Sequence, residues 1–253
     1  MSDNGRGVPV KLGEEPLIDA IFELRFSSSL HASNVFPGAL MIHYKEQSPT
    51  IERLPIADLP QQLREQDPDL QYQAHLRILL PKFFVLIGDR VLGLACRLPY
   101  SGWSQFKQAI LELLHFAHDL ALIQDVERCS LKYVDLLPGA DVSAMRRMVK
   151  LGISIADHTL DAEGFQLRTQ IANEPFVNVM QIGVPTTVQL VSGPSKTGLL
   201  IDTDVMPMSV PSDFSEFLAS ADDLLEGIHS ESKRFFFGML TEHALQELKA
   251  EYE

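Results

Sequence analysis

Strict alternation of apolar and polar residues marks a first strand over residues 16–26. Ala20, Phe22, Leu24 and Phe26 share one face, while mostly polar residues occupy the other. A period of two is typical of a strand with one buried face. The same reasoning predicts a helix over residues 34–46, a short strand over 51–54, a hairpin over 71–80 and 82–88, and a strand over 90–98.

Two amphipathic helices begin with the same aromatic spacing, 111 residues apart in the chain. Trp103 and Phe106 open a helix predicted over residues 103–122, and Phe214 and Phe217 open another. Recurrence at a fixed offset indicates an internal repeat.

The first strand of each half recurs at the same offset, which places Tyr133 where the first half has Phe22. In the second half we predict strands over residues 127–137, 165–172, 176–184, 187–191 and 199–206, a helix over 143–155 and a long helix from 215. That long helix is predicted to break near Ser230, and Thr241 is predicted to cap a short final helix. Each half therefore reads β-α-β-β-β-β-α.

The fold class predicted from this order is α+β. Two fused β-α-β4-α repeats would form one antiparallel sheet with helices packed on one face. This layout resembles the TATA-binding-protein-like and helix-grip folds. We expect residues 1–15 to be flexible and residues 16–253 to form one domain, with repeats at about 16–125 and 126–240 followed by the short C-terminal helix.

Composition narrows the class without naming a function. A net charge of −13 and a hydrophobic fraction of 45% describe an ordinary globular chain. Its apolar runs are far shorter than the roughly 20 residues of a membrane helix, and its N-terminus lacks a signal-peptide pattern, so we expect a cytoplasmic protein. Cys96 and Cys129 lie in apolar strands, outside any metal or redox motif, and are expected to be buried thiols.

Four segments together resemble a sporadically distributed, uncharacterised family of bacterial and archaeal proteins of similar length. They cover residues 16–26, 131–137, 200–205 and 225–236, the last with Thr241. The family pattern favours asparagine where this chain has Asp135. The resemblance implies no established activity; the patchy occurrence of the family suggests a mobile-element or defence context, in which the chain would be an antitoxin-like protein.

The open face of the predicted sheet is rich in arginine and glutamine. Such a surface would offer positive charge and hydrogen bonds to an acidic ligand or a macromolecular partner. The predicted binding residues are Arg25, Gln73, His75, Arg77, Lys132, Arg168 and Gln170. Few aromatic residues share this face, so protein or anion binding is favoured over nucleic-acid stacking. A sheet face in water also needs long polar side chains for solubility alone.

A second set of residues could form a pocket instead. Asp202 and Asp204 alternate on one strand and would project about 7 Å apart, while His229 and Lys233 lie one turn apart on the last long helix. Paired carboxylates near a histidine could bind a ligand or transfer protons. Two aspartates on a solvated strand face need no such purpose.

A possible metal triad, Glu112, His115 and Asp119, has helical spacing but no supporting second cluster. We therefore predict neither a metal nor a cofactor. The sequence favours a non-enzymatic binding or regulatory protein whose partner is a protein or an acidic ligand. It leaves open an enzyme or ligand-binding protein built on the aspartate pocket, a nucleic-acid-binding saddle, and a homodimer formed through edge strands.

Overall fold

The computed structural model describes residues 7–68, 70–189 and 194–252 of the chain. In these ranges the protein is an α+β structure with a large antiparallel sheet and helices packed on one side of it. The predicted fold class is therefore confirmed. Across the same ranges, no helix is long and apolar enough to cross a membrane.

The first half of the chain follows the predicted order of elements. Its strands are β1 (Lys11–Leu12), β2 (Leu17–Ser28), β3 (Thr50–Arg53), β4 (Leu76–Leu79), β5 (Phe83–Ile87) and β6 (Val91–Cys96). Its helices are α1 (Ala32–His43), α2 (Gln61–Gln66) and α3 (Trp103–Asp119). The short helix α2 lies between the strand predicted over residues 51–54 and the hairpin predicted from residue 71, where the sequence analysis predicts no helix.

The second half opens with a long strand and closes with a long helix. Its strands are β7 (Ile123–Leu137), β8 (Ser154–Ile155), β9 (His158–Thr159), β10 (Phe165–Asn173), β11 (Phe176–Gln189), β12 (Ser195–Pro207) and β13 (Ala250–Glu251). Its helices are α4 (Val142–Arg146), α5 (Phe214–Met239) and α6 (Glu242–Glu247).

Nine strands form the main sheet in the order β10-β11-β12-β7-β2-β6-β5-β4-β3. Read outward from β7, the second half contributes β12, β11 and β10; read outward from β2, the first half contributes β6, β5 and β4. The two halves thus use the same order of neighbours, and β3 is added at one edge. The resemblance to a TATA-binding-protein-like fold stays a prediction.

The chain divides into two compact units. One, the Asp89 unit, comprises residues 19–132 and 206–228; the other, the Glu231 unit, comprises residues 1–18, 133–205 and 229–253. Each is named here after a buried carboxylate that it contains.

The core of the Asp89 unit forms where β2 pairs with β6. Phe22 lies opposite Leu94 and Leu24 opposite Leu92, and all four side chains are buried. Burying each such side chain contributes roughly 1.5–3 kcal/mol. The Phe106 ring of α3 stacks with Phe83 of β5, their centres 6.3 Å apart. Buried apolar residues follow along α3 at helical spacing, namely Phe106, Ile110, Leu113, Leu114 and Ala117.

The Glu231 unit has a core of its own, made of aliphatic and methionine side chains. Met180 and Ile182 of β11, Ile201 of β12 and Leu240 are all buried in it. The isolated bridge between Val149 and Leu240 explains why α4 ends at Arg146, although the sequence predicts a helix over residues 143–155. Residues after α4 pair with another segment there, so tertiary packing overrides helix propensity.

Helix α5 is continuous from Phe214 to Met239, so the predicted break near Ser230 is wrong. Leu225, Ile228 and Ser232 are buried along one side of this region. Packing of a buried helix face contributes more to the stability of a helix than the intrinsic helix preferences of single glycine or serine residues.

Two strands predicted over residues 176–184 and 187–191 form a single strand, β11, as far as Gln189. Residues 190 and 191 lie outside the described ranges. Strand β10 begins at Phe165, opposite Val184, so Pro185 lies past the end of that ladder. Its missing N–H therefore removes no hydrogen bond to β10.

Segments near the two termini pair with each other. Lys11 lies opposite Glu251 and Leu12 opposite Ala250 in a two-stranded ribbon, within the segment predicted to be flexible; the first six residues of that segment lie outside the described ranges. Thr241 does cap α6 as predicted, because its hydroxyl accepts a hydrogen bond from the Ala244 amide at 3.2 Å.

Candidate functional site

Two arginines of the predicted binding face already have acidic partners. The Arg25 side chain lies 2.6 Å from a carboxylate oxygen of Glu23, and its guanidinium lies 4.9 Å from the centre of the Tyr72 ring. Arg77 lies directly across the ladder from Glu52 and contacts its carboxylate at 2.8 Å. These partners neutralise much of the positive charge that the face was expected to present.

His75 differs most from its prediction, because its ring is buried rather than outward-facing, with 7% of the residue exposed. Strand β4 begins only at Leu76, so the alternation predicted from residue 71 does not extend to His75. Gln73 is exposed and Lys132 is half-buried. His75 therefore belongs to a buried polar cluster around Asp89 and not to the sheet face.

The rest of the predicted face lies in the Glu231 unit. Arg168 and Gln170 are exposed and alternate along β10, as expected for one side of a strand. The predicted set is therefore divided between two units, with Arg25, Gln73, His75, Arg77 and Lys132 in the Asp89 unit.

The alternative pocket residues all belong to the Glu231 unit. His229 contacts the hydroxyl of Tyr133 through its Nδ1 atom at 3.1 Å, which joins α5 to β7. Asp202 and Asp204 are half-buried on either side of the buried Thr203. By alternation they project to the face opposite Thr203.

Lys233 is half-buried one turn beyond His229. In the proposed metal triad, Glu112 contacts His43 at 3.3 Å, and His115 and Asp119 are exposed. Among the residues that the structure describes, no group of three or more histidine, cysteine or acidic side chains is arranged to hold a metal ion.

A site that the sequence analysis missed lies at the connection between β5 and β6. Asp89 occupies this short turn, directly after Gly88. A side chain at Gly88 would collide with the carbonyl oxygen of Gln73, so the close approach of the two segments requires glycine. The Asp89 carbonyl oxygen accepts a hydrogen bond from the Ala32 amide at 3.1 Å, which ties the turn to the start of α1.

The Asp89 carboxylate gathers side chains from three other segments. Its Oδ1 atom accepts a hydrogen bond from Ser33 at 2.6 Å and lies 3.3 Å from His75 Nε2 and 3.5 Å from His31 Nδ1. Its Oδ2 atom accepts a longer hydrogen bond from Arg64 Nη2 at 3.5 Å. We call these five residues, His31, Ser33, Arg64, His75 and Asp89, the Asp89 cluster.

The environment of Asp89 keeps it ionised. Burial by itself would raise the pKa of Asp89, but the contacts with His75 and Ser33 and the charges of His75 and His31 outweigh it. The net result is a pKa well below the ordinary value of an aspartate. The cluster therefore contains a buried negative charge surrounded by donors.

Helix α2 closes the outer side of the cluster. The Nε2 atom of His31 lies 3.2 Å from Glu65 and 2.9 Å from the Gln61 amide nitrogen. Arg64 of the same helix donates through Nη1 to the Leu59 carbonyl at 2.6 Å. Its Nε atom is buried and has no hydrogen-bond partner among the described residues.

Two pockets meet at this cluster, and His31, Arg64 and Asp89 line both. The larger, of about 390 Å³, also includes Arg90, and the smaller, of about 250 Å³, also includes Arg53. The larger lies near the lower end of the volume range for small-molecule sites, roughly 300–1,000 Å³, and the smaller lies just below it. The Asp89 cluster and these two pockets together form what we call the Asp89 pocket.

The geometry of the Asp89 pocket suits binding better than nucleophilic catalysis. A serine nucleophile needs a base that accepts its proton, but Ser33 donates to a carboxylate that other donors already hold. The arginine and histidine side chains instead provide the positive charge and N–H groups that anions bind.

Comparison with known proteins finds no family model that matches this chain and no curated protein that matches it. The pocket itself is therefore the main evidence for a function.

Proposed function

We propose that this protein is a non-enzymatic binding protein that takes a small acidic ligand into the Asp89 pocket. The observation that carries the proposal is the largely buried side chain of Arg64, which lines both pockets. Only 11% of its side chain is exposed, and its Nε atom has no partner among the described residues.

A buried donor without an acceptor is costly, and more so on a charged group. The cost is about 1–3 kcal/mol for a neutral donor and larger for an ionised one. An oxygen of an anionic ligand in the pocket would accept a charge-assisted hydrogen bond from the guanidinium of Arg64. Buried polar groups of this kind mark a place where a ligand or ordered water completes the hydrogen bonding.

The charges of the smaller pocket also favour an anion. Arg53 and Arg64 line it with the carboxylate of Asp89, and the rings of His31 and His75 add donors. Arg53 also contacts Asp58 at 3.7 Å, so Arg64 is the main source of positive charge for a ligand in this pocket. A small acidic molecule would therefore be attracted to this pocket and repelled by much of the remaining surface.

Isothermal titration with inorganic phosphate and with citrate tests the proposal, together with NMR spectra of the histidine rings. We expect saturable binding that shifts the His31 and His75 resonances, and at least tenfold weaker binding in Arg64→Gln, since a hydrogen bond to a charged group contributes about 1.5–3 kcal/mol. Arg53→Gln changes an exposed side chain at the same pocket and should weaken binding less.

Arg147→Gln serves as the matched control, because Arg147 is an exposed arginine of the other unit. It should bind both anions as the unmodified protein does. The proposal is wrong if neither anion binds, or if Arg64→Gln and Arg147→Gln bind equally well.

A second function, docking of an acidic protein segment, is favoured by one observation on β10. Gln166, Arg168 and Gln170 are all exposed along the same side of this edge strand, as the sequence predicts. Partner capture from source-cell extract, compared between the unmodified protein and Arg168→Glu, tests this function. A protein lost from the variant supports it; identical captured proteins refute it.

A further inference from the structure

The Asp89 pocket contains a carboxylate as well as cations, and this changes which anions it can accept. Asp89 lines both pockets, and only 7% of the residue is exposed. A bare anion brought beside an ionised carboxylate is repelled, and the repulsion is strong away from bulk water. If the pocket binds an anion, as proposed above, the ligand must also satisfy Asp89.

The two oxygens of Asp89 differ in how fully they are used. Ser33, His75 and His31 all approach Oδ1. Among the described residues, Arg64 is the one donor to Oδ2, and its distance of 3.5 Å makes that hydrogen bond weak. An ionised carboxylate has about four acceptor positions, so Oδ2 can accept a further hydrogen bond.

Acceptor and donor capacity therefore belong to the same pair of side chains. Asp89 Oδ2 provides the acceptor, and the guanidinium of Arg64, which lines both pockets and has more N–H groups than its hydrogen bonds to Leu59 and Asp89 use, provides the donor. A ligand group that complements both must carry an oxygen acceptor and an O–H or N–H donor close together. A fully deprotonated oxyanion meets only half of this requirement.

We propose that the ligand of the Asp89 pocket is an oxyanion carrying a hydroxyl group of its own. The oxyanion receives the hydrogen bond from Arg64, and the hydroxyl donates to Asp89. Hydrogen phosphate is the simplest such species, and a hydroxy acid presents the same pair of groups.

Phosphate and sulfate provide the matched test, because they share size and tetrahedral shape while only hydrogen phosphate carries a proton at pH 7. The unmodified protein should bind inorganic phosphate at least tenfold more tightly than sulfate, measured by titration calorimetry at constant ionic strength. Lactate and isobutyrate form a second matched pair, in which a hydroxyl group replaces a methyl group. A preference for lactate identifies a hydroxy acid, and a preference confined to phosphate identifies a phosphate ligand.

Asp89→Asn checks which residue makes the selection, because its amide can donate to sulfate. This variant should lose the preference for phosphate. The comparison in the unmodified protein stands even if the variant fails to fold.

The outcomes separate the two proposals. If phosphate and sulfate bind equally and lactate and isobutyrate do too, the hydroxyl proposal is overturned while anion binding stands. If none of the four binds and citrate does not bind either, anion binding itself is refuted, and the hydroxyl proposal with it. A preference for the hydroxyl-bearing ligand that persists unchanged in a folded Asp89→Asn protein also overturns the role given to Asp89.

Discussion

Replacing Asp135 by asparagine should stabilise this protein, increasingly so as the pH rises. Asp135 lies on β7 and only 5% of it is exposed. Burial, with a smaller contribution from the charge of Glu15, raises the pKa of Asp135 from 3.8 to about 8. The folded protein therefore holds a proton on Asp135 under conditions in which the unfolded chain has released it.

The sign of the pH effect follows from this difference. Because the folded-state pKa lies above the unfolded-state value, stability falls as the pH rises from about 4 to about 8 and is then constant. A pH of 7 lies about 3 units above the ordinary aspartate pKa of 3.8. At 1.36 kcal/mol for each unit, the destabilisation reaches at most about 4 kcal/mol. Asparagine has nearly the same shape and cannot ionise, so it should recover much of this free energy.

Urea unfolding at pH 5, 7 and 8.5 measures the effect. Asp135→Asn should gain more stability over the unmodified protein at pH 8.5 than at pH 5. Glu15→Gln, which removes only the smaller cause of the shift, should give a smaller gain with the same sign. Equal pH dependence in the unmodified protein and Asp135→Asn would refute the reasoning, as would an asparagine variant that is less stable at pH 8.5.

Substitutions at three further positions test the packing and the helix ends. Thr241→Ala should lower the free energy of unfolding by about 1 kcal/mol through loss of the α6 cap, and Thr241→Ser should restore most of it; no change in urea unfolding would contradict the assignment. Glu231→Gln should cost about 1–3 kcal/mol at pH 7, because Glu231 is buried and bound by Arg234. These contacts outweigh burial and lower the pKa of Glu231, so the cost should shrink as the pH falls below about 4; a cost independent of pH would count against this account. Gly88→Ala should destabilise the protein and shift the His75 ring resonances, because the new methyl group meets the Gln73 carbonyl oxygen; an unchanged histidine spectrum would show that the turn is not tightly packed.

Local sequence patterns predict those helices and strands that bury one face and expose the other. The alternation of β2 and the spacing of Phe106, Ile110 and Leu113 in α3 are properties of neighbouring residues, so sequence alone reveals them. The unbroken α5 depends on what Leu225 and Ile228 pack against, which propensity does not report.

Local sequence patterns do not predict the Asp89 pocket. Its side chains come from four separate segments, represented by His31, Arg64, His75 and Asp89. Each residue is ordinary in its local context, and only the pairing of strands and the packing of α2 bring them together. The sequence analysis also extends the alternation to residues before β4, and it therefore places His75 on the wrong face of the predicted strand.

The ribbon formed by β1 and β13 determines how the protein would respond to a pulling force. Val10 donates to the Glu251 carbonyl at 2.8 Å, Gly13 to Lys249 at 3.0 Å, and the Lys249 ammonium contacts Glu14 at 2.6 Å. A load applied through both termini would peel these two strands apart one hydrogen bond at a time, before it reached the nine-stranded sheet. A tether attached at both ends would therefore strain this two-stranded ribbon first, and its hydrogen bonds would break in sequence rather than together.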